Sequence, residues 1–105
     1  MKRTAITNGH GAWFDIEKTV CYKEMTNYNG NNHISRATNS QWIHEEILIT
    51  SGIFILHHWS EAYGSSDSFD VISEQQAAQW FTSQGFNDND IPEILMKEVK
   101  DLELT

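Results

Sequence analysis

The sequence is poor in the residues that mark several common classes of protein. Its 105 residues include one cysteine, one proline and seven lysines and arginines. A lone Cys21 cannot form an internal disulfide, which is typical of a protein in a reducing cytosol. No apolar run reaches membrane-spanning length, and residues 1–14 lack the apolar core of a secretory signal. These absences predict a single cytoplasmic domain over residues 1–105, with no membrane segment.

Motifs that would fix a reaction are also missing. There is no glycine-rich phosphate loop, no HExxH sequence and no pair of closely spaced cysteines. Gly64-Ser65-Ser66 does not match the GxSxG nucleophile elbow, and Cys21 has no evident histidine partner. The sequence therefore predicts no catalytic residue and no cofactor.

Positive charge is nearly absent from the second half of the chain. The net charge is −8, and residues 1–60 are balanced, with five acidic and five basic residues. Residues 61–105 hold ten carboxylates against only Lys97 and Lys100. Such a surface favours solubility, repels nucleic-acid phosphates and attracts basic proteins. We expect no direct nucleic-acid binding.

The strongest local signal lies in residues 41–59, QWIHEEILITSGIFILHHW. Two β-forming runs meet at Ser51-Gly52, and glycine supplies the positive φ that a tight hairpin turn needs. This turn sets a register in which residues alternate between two faces of the hairpin. The predicted pairs are Thr50–Ile53, Leu48–Ile55, Glu46–His57 and His44–Trp59 on one face, and Ile49–Phe54, Ile47–Leu56 and Glu45–His58 on the other.

Turn and capping signals predict the remaining elements. Asp15 can cap the start of a helix. Ser73 and Gln76 form a capping box at the start of another helix, which Gly85 ends. Asp90 and Glu93 form a capping box for the last helix. The expected elements are a flexible arm (1–11), a helix (15–25) or alternatively a strand (12–16), a loop (27–33), a short strand (34–37), a third strand (69–72) and helices over 74–84 and 91–103. Together they predict an α+β fold, in which an antiparallel sheet of three or four strands centred on the 41–59 hairpin packs with two or three helices.

Parts of the sequence resemble a group of small bacterial proteins. The segments are NGNNHISRATNSQWIHEE, HHWSEAYGSS and ISEQQAAQWF, and the resemblance covers roughly residues 13–85. That group carries a basic, tyrosine-containing strand where this chain has Ile47-Leu48-Ile49, and a second tryptophan and a glutamine near Ala62 and Tyr63. No activity is established for the group, so the resemblance implies none here.

Two interpretations of the histidines in the hairpin are open. In the first, His44, Glu46 and His57 converge on one face as zinc ligands or as the acid–base residues of a small hydrolase. In the second, Glu46–His57 and Glu45–His58 are cross-strand charge pairs and His44 stacks on Trp59. The second interpretation needs no metal and is the one we favour.

The leading functional hypothesis is a non-enzymatic acidic protein that inhibits or neutralises a basic protein, such as a nuclease or another nucleic-acid-binding effector. Immunity proteins, antitoxins and phage-encoded anti-defence inhibitors of the anti-CRISPR type share this small, acidic profile, and some such proteins mimic nucleic acid. Aromatic anchors beside carboxylates are typical of protein interfaces. A homodimer is left open. The predicted partner-binding residues are Trp42, Glu46, His57, Trp59, Glu61, Tyr63 and Asp67.

Overall fold

A computed structural model describes residues 1–104 and has a mixed α+β architecture. The predicted α+β class is therefore confirmed. The predicted number of three or four strands is wrong, because the described residues form eight strands in three antiparallel sheets. The strands are β1 (Arg3–Ala5), β2 (Trp13–Asp15), β3 (Val20–Lys23), β4 (Thr26–Tyr28), β5 (His33–Ser35), β6 (Ile43–Thr50), β7 (Ile53–Ser60) and β8 (Ser68–Ile72). The helices are α1 (Glu74–Gln84) and α2 (Met96–Asp101).

The largest sheet has four strands in the order β3-β6-β7-β8. Its two long inner strands, β6 and β7, are joined by Ser51 and Gly52, which have φ angles of 49° and 73°. Two successive positive φ angles match the twist of a two-residue hairpin. All the predicted pairs from Thr50–Ile53 out to His44–Trp59 are present, so the predicted register is confirmed.

The first 25 residues form strands where a flexible arm and a helix were expected. β1 pairs with β2, and Ile6 after β1 is buried, so the expectation of no regular structure over 1–11 is wrong. The helix over 15–25 is also wrong: Asp15 caps only a single 3-10 turn (Ile16–Lys18) before β3 pairs with β6. The alternative strand over 12–16 is close to β2. Pairing with a long neighbouring strand outweighs the local capping signal.

A short hairpin occupies the segment predicted as loop and strand. β4 and β5 pair across the Asn- and Gly-rich turn at 29–32, so residues 27–33 are only partly a loop. The Arg36 side chain ties this hairpin to the end of α1, because its guanidinium donates to the Gln84 carbonyl at 3.0 Å. Buried Gln84 in turn accepts from the Met25 backbone N–H at 2.9 Å.

Helix α1 is as predicted, whereas the last helix is shorter. Ser73 and Gln76 form the capping box of α1, and Gly85 ends it with φ 84°. The predicted helix over 91–103 is reduced to α2 after a 3-10 turn (Glu93–Leu95), and Asp90 does not cap it. A residue that precedes proline is disfavoured in the helical region, and both Ile91 (ψ 138°) and Pro92 (ψ 132°) are extended.

Apolar side chains on the two faces of the large sheet form separate cores. On one face α1 and the segment after it contribute to a core whose buried residues are Ile47, Phe54, Ala77, Trp80, Phe81, Ile91 and Leu95. On the other face the β1–β2 hairpin covers the half of the sheet nearest the 51–52 turn, where Ile6, Phe14, Leu48 and Ile55 are buried. The half of this second face farther from the turn carries His44, His57 and Trp59.

The outer edge of β8 is covered by side chains rather than by a strand. The Asn8 side chain exchanges two hydrogen bonds with the Val71 backbone, at 3.0 and 3.1 Å. Thr7 does the same for Phe69 through its hydroxyl and its backbone N–H. Within residues 1–104, no helix is long and apolar enough to cross a membrane.

Candidate functional site

Two histidines on the far half of the second sheet face each lie between two carboxylates. His44 is on β6 and His57 is on β7, and alternation along the strands points both side chains to the same face. We call this surface the histidine face. It consists of His44, His57 and Trp59 with the carboxylates of Glu24, Glu46, Glu61 and Asp67.

His44 has one buried carboxylate partner and one exposed partner. Its Nδ1 lies 2.7 Å from Oε2 of Glu24, whose side chain is only 10% exposed. Its Nε2 lies 3.2 Å from Oε1 of Glu61, whose side chain is 54% exposed. The second contact is an ion pair whose angle falls outside hydrogen-bond geometry. The buried contact is therefore the stronger of the two.

Glu24 is the residue that joins the site to the rest of the fold. Besides His44, its carboxylate accepts from the Ser35 hydroxyl at 2.7 Å and from the Glu45 backbone N–H at 2.8 Å. A buried carboxylate is stable only where donors replace its lost water, and Glu24 has three. It was not among the predicted site residues, because no motif in the sequence marks it.

His57 repeats the arrangement with two equal hydrogen bonds. Its Nδ1 lies 2.8 Å from Oε2 of Glu46, and its Nε2 lies 2.8 Å from Oδ2 of Asp67. Glu46 is mostly buried and also accepts from the Cys21 thiol at 3.1 Å, whereas the Asp67 side chain is 52% exposed. Each histidine thus has an inner and an outer carboxylate.

Aromatic rings fix the positions of both imidazoles. The Trp59 ring contacts both, with centroid distances of 5.5 Å to His44 and 4.5 Å to His57. Phe69 stacks on the other side of His57 at 4.3 Å, with an angle of 11° between the planes. The predicted Glu46–His57 pair is confirmed. His44 does contact Trp59 as predicted, but the two rings are tilted by 33° rather than stacked.

The remaining predicted charge pair lies on the opposite face. His58 Nδ1 is 3.0 Å from Oε2 of Glu45, which confirms that pair. The other Glu45 oxygen accepts from the Trp80 indole N–H at 3.1 Å, so this carboxylate connects the sheet to α1. Because His58 faces away from the histidine face, it serves below as a matched control.

The alternative metal site is not assembled. Glu46 does contact His57, but His44 is turned to Glu24 and Glu61, so the three proposed ligands do not converge. Within residues 1–104, no group of three His, Cys, Asp or Glu side chains has the geometry to hold a metal ion. Each imidazole nitrogen already faces a carboxylate, and neither histidine is placed as a free general base.

Cys21 has the opposite of a nucleophile's environment. Cys21 is exposed as a residue, but partial desolvation of its thiol, the hydrogen bond to Glu46 and the negative charge of that carboxylate raise the pKa of the thiol to about 12. A reactive cysteine needs a lowered pKa and a cationic neighbour, because the thiolate is the reactive form. Cys21 therefore acts as a hydrogen-bond donor that helps to fix Glu46.

The pKa of His44 makes the stability of the protein depend on pH. Burial of His44 lowers its pKa, but the hydrogen bond and charge of Glu24, with the charge of Glu61, outweigh burial and raise it above 6.5. A raised pKa in the folded state means that the imidazolium contributes stability in full below about pH 6.5. That contribution is lost as pH rises through the folded-state pKa.

We therefore expect the wild type to have a higher free energy of unfolding than His44→Gln. The difference should be largest near pH 6 and should shrink steadily towards pH 9. Urea unfolding at pH 6, 7, 8 and 9 measures it. His10→Gln is the control, because His10 is exposed and lies in none of the ion pairs of residues 1–104. A difference for His44→Gln that grows with pH would contradict the assignment.

The predicted partner-binding residues lie on or beside the histidine face. Glu46, His57, Trp59, Glu61 and Asp67 are part of it. Trp42 is exposed next to it, since its carbonyl accepts from the Glu61 backbone N–H, and Tyr63 is fully exposed in the 61–67 loop. Beside Trp59, a shallow cleft of about 330 Å³ is lined by Lys23, Glu24, Thr26, Glu45, Glu46 and His57.

No family model, no curated protein and no solved structure matches this chain. The resemblance of residues 13–85 to a group of bacterial proteins therefore gains no support from these comparisons. Any functional conclusion has to rest on the residues of the histidine face themselves.

Proposed function

We propose that the protein is a non-enzymatic binding protein that captures a basic protein partner on the histidine face and neutralises it by covering its active or nucleic-acid-binding surface. The observation that carries this proposal is that two half-exposed carboxylates, Glu61 and Asp67, lie on the same surface as the exposed aromatic rings of Trp42 and Tyr63. Large aromatic side chains supply most of the energy at interface hot spots, while charges set the partner and the association rate.

The distribution of charge supports a cationic partner. Residues 61–96 contain no lysine or arginine, and they include Glu61, Asp67, Asp70 and Glu74. The histidine face carries four carboxylates, and Lys23 is the permanent cation among the residues that line the cleft beside it. A surface of this kind steers basic proteins towards it and repels nucleic acid.

The arrangement of the site supports binding rather than catalysis. Both histidines are locked between carboxylates and rings, and the Cys21 thiol has a raised pKa. Rigid side chains lose little entropy when a partner docks on them, which favours tight binding. A role as an immunity protein, antitoxin or phage anti-defence inhibitor, with the carboxylates imitating nucleic-acid phosphates, is an analogy based on size and charge.

The proposal predicts that association depends steeply on salt. The partner recovered with the immobilised protein from a native lysate should bind at least about tenfold more slowly at 300 mM than at 50 mM NaCl, because salt screens the steering charges. The double variant Glu61→Gln/Asp67→Asn should reduce the low-salt association rate strongly. Stopped-flow or surface-based kinetics give both rates.

The matched control is Asp88→Asn/Asp90→Asn, which also removes two negative charges, but from an exposed 3-10 turn outside the histidine face. It should leave association nearly unchanged. Equal losses in both double variants would show that bulk charge, rather than this face, attracts the partner. A salt-insensitive rate or an acidic partner would contradict the proposal altogether.

A further inference from the structure

The loop over residues 61–67 is fastened to the sheet at its two ends by the two histidines. All seven residues of the loop are exposed. Among residues 1–104, its side chains reach the sheet through two contacts, Glu61 with His44 and Asp67 with His57. Over the same residues 1–104, two backbone N–H groups of the loop donate outside it, that of Glu61 to the Trp42 carbonyl and that of Ala62 to the Ser60 hydroxyl. Apart from these bonds at its first two residues, the loop is held to the sheet by its contacts with the two histidines.

These contacts require charged histidines. A carboxylate only accepts hydrogen bonds, so an imidazole that satisfies a carboxylate at each nitrogen must carry a proton on both. When the ring loses one proton, one nitrogen keeps its N–H and the other presents a lone pair to a carboxylate. One of the two contacts then becomes repulsive.

The imidazole nitrogen that faces the inner carboxylate keeps the remaining proton. Glu24 and Glu46 are largely buried, and leaving either without a donor costs its full desolvation penalty. Glu61 and Asp67 are half-exposed, so water replaces the imidazole at little cost. For His44 the geometry agrees, because the Glu24 contact is short and the Glu61 contact is poorly aligned.

We propose that His44 and His57 form a pH-sensitive latch, which holds the 61–67 loop on the sheet while both are protonated and releases it when they become neutral. Among residues 1–104, the charged groups that contact the two rings are four carboxylates. Glu24 and Glu61 face His44; Glu46 and Asp67 face His57; and Lys23 and the Cys21 thiol lie beside Glu46. The latch does not depend on the identity of any partner, and its release leaves Glu61, Tyr63 and Asp67 free together.

NMR of the wild-type protein between pH 5.5 and 9 tests the latch. Side-chain ¹⁵N shifts of His44 and His57 report when each ring loses a proton and which nitrogen keeps one. Backbone ¹⁵N order parameters report the mobility of the loop. We expect the order parameters of residues 62–66 to be about 0.85 where the ¹⁵N shifts show both rings doubly protonated and below about 0.6 where they show both neutral, with the remaining proton on Nδ1 of each.

Two variants sharpen the result. Glu61→Ala/Asp67→Ala should give low order parameters for the loop at every pH, because no acceptor is left opposite Nε2 of either histidine. His58→Gln should keep the wild-type response, since His58 pairs with Glu45 on the opposite face. A loop whose order parameters stay constant while both rings titrate, or a proton retained on Nε2, would overturn the proposal.

Discussion

Replacing Glu24 by alanine is expected to lower the free energy of unfolding by about 3–5 kcal/mol, the cost of breaking a buried ion pair by removing one partner. The substitution leaves three donors without an acceptor: the Ser35 hydroxyl, the Glu45 backbone N–H and Nδ1 of His44. Ser35 is itself buried, so water reaches its hydroxyl poorly. Urea unfolding at pH 7 measures the loss.

Glu61→Ala is the matched control, because it removes the other carboxylate from the same histidine. Glu61 is half-exposed, and exposed ion pairs contribute at most about 1 kcal/mol. The expected outcome is a large loss for Glu24→Ala and a small one for Glu61→Ala. Similar losses in the two variants would mean that Glu24 does not hold the site to the fold.

Replacing Ile47 by alanine is expected to cost about 2–5 kcal/mol, because the side chain is 0% exposed and the substitution leaves a cavity between the sheet and α1. Ile47 belongs to the core that contains the buried residues Phe54, Phe81 and Leu95, so the space it leaves lies among apolar side chains. Thermal and urea unfolding should agree on the size of the loss.

The same hairpin supplies the control residue. Ile53 is 46% exposed at the first position of β7, and its replacement by alanine should cost about 1 kcal/mol or less. The comparison keeps the residue type and the substitution constant and changes only burial. A loss for Ile53→Ala as large as that for Ile47→Ala would show that strand propensity, rather than packing, sets the stability of this hairpin.

Ile47 and Glu24 also show which parts of the molecule the sequence predicts. The position of Ile47 follows from local information. The Ser51-Gly52 turn sets the strand register, and the register decides which face of the sheet each side chain points to. Helix α1 is predicted for the same reason, since the signals that start and end it, the capping box and Gly85, lie at its own two ends.

Elements that depend on distant pairing were predicted poorly. β3 is a strand because it lies against β6, and the last helix begins later than predicted because the backbone of Ile91 and Pro92 is extended. Glu24 is 20 residues from His44 in the sequence, and only the packing of the β3–β4 connection brings the two together. A lone glutamate carries no signal of such a role, whereas the outer residues Glu61 and Asp67 were identified from charge and nearby aromatic residues.

The side chains of Thr7 and Asn8 occupy the position that a ninth strand would take beside β8. An uncovered strand edge is a template for adding strands from other molecules, which leads to aggregation. The residues just after β1 therefore protect the protein against self-association on this side, although they belong to no strand. Fusions and trims at the amino terminus should leave these two residues intact.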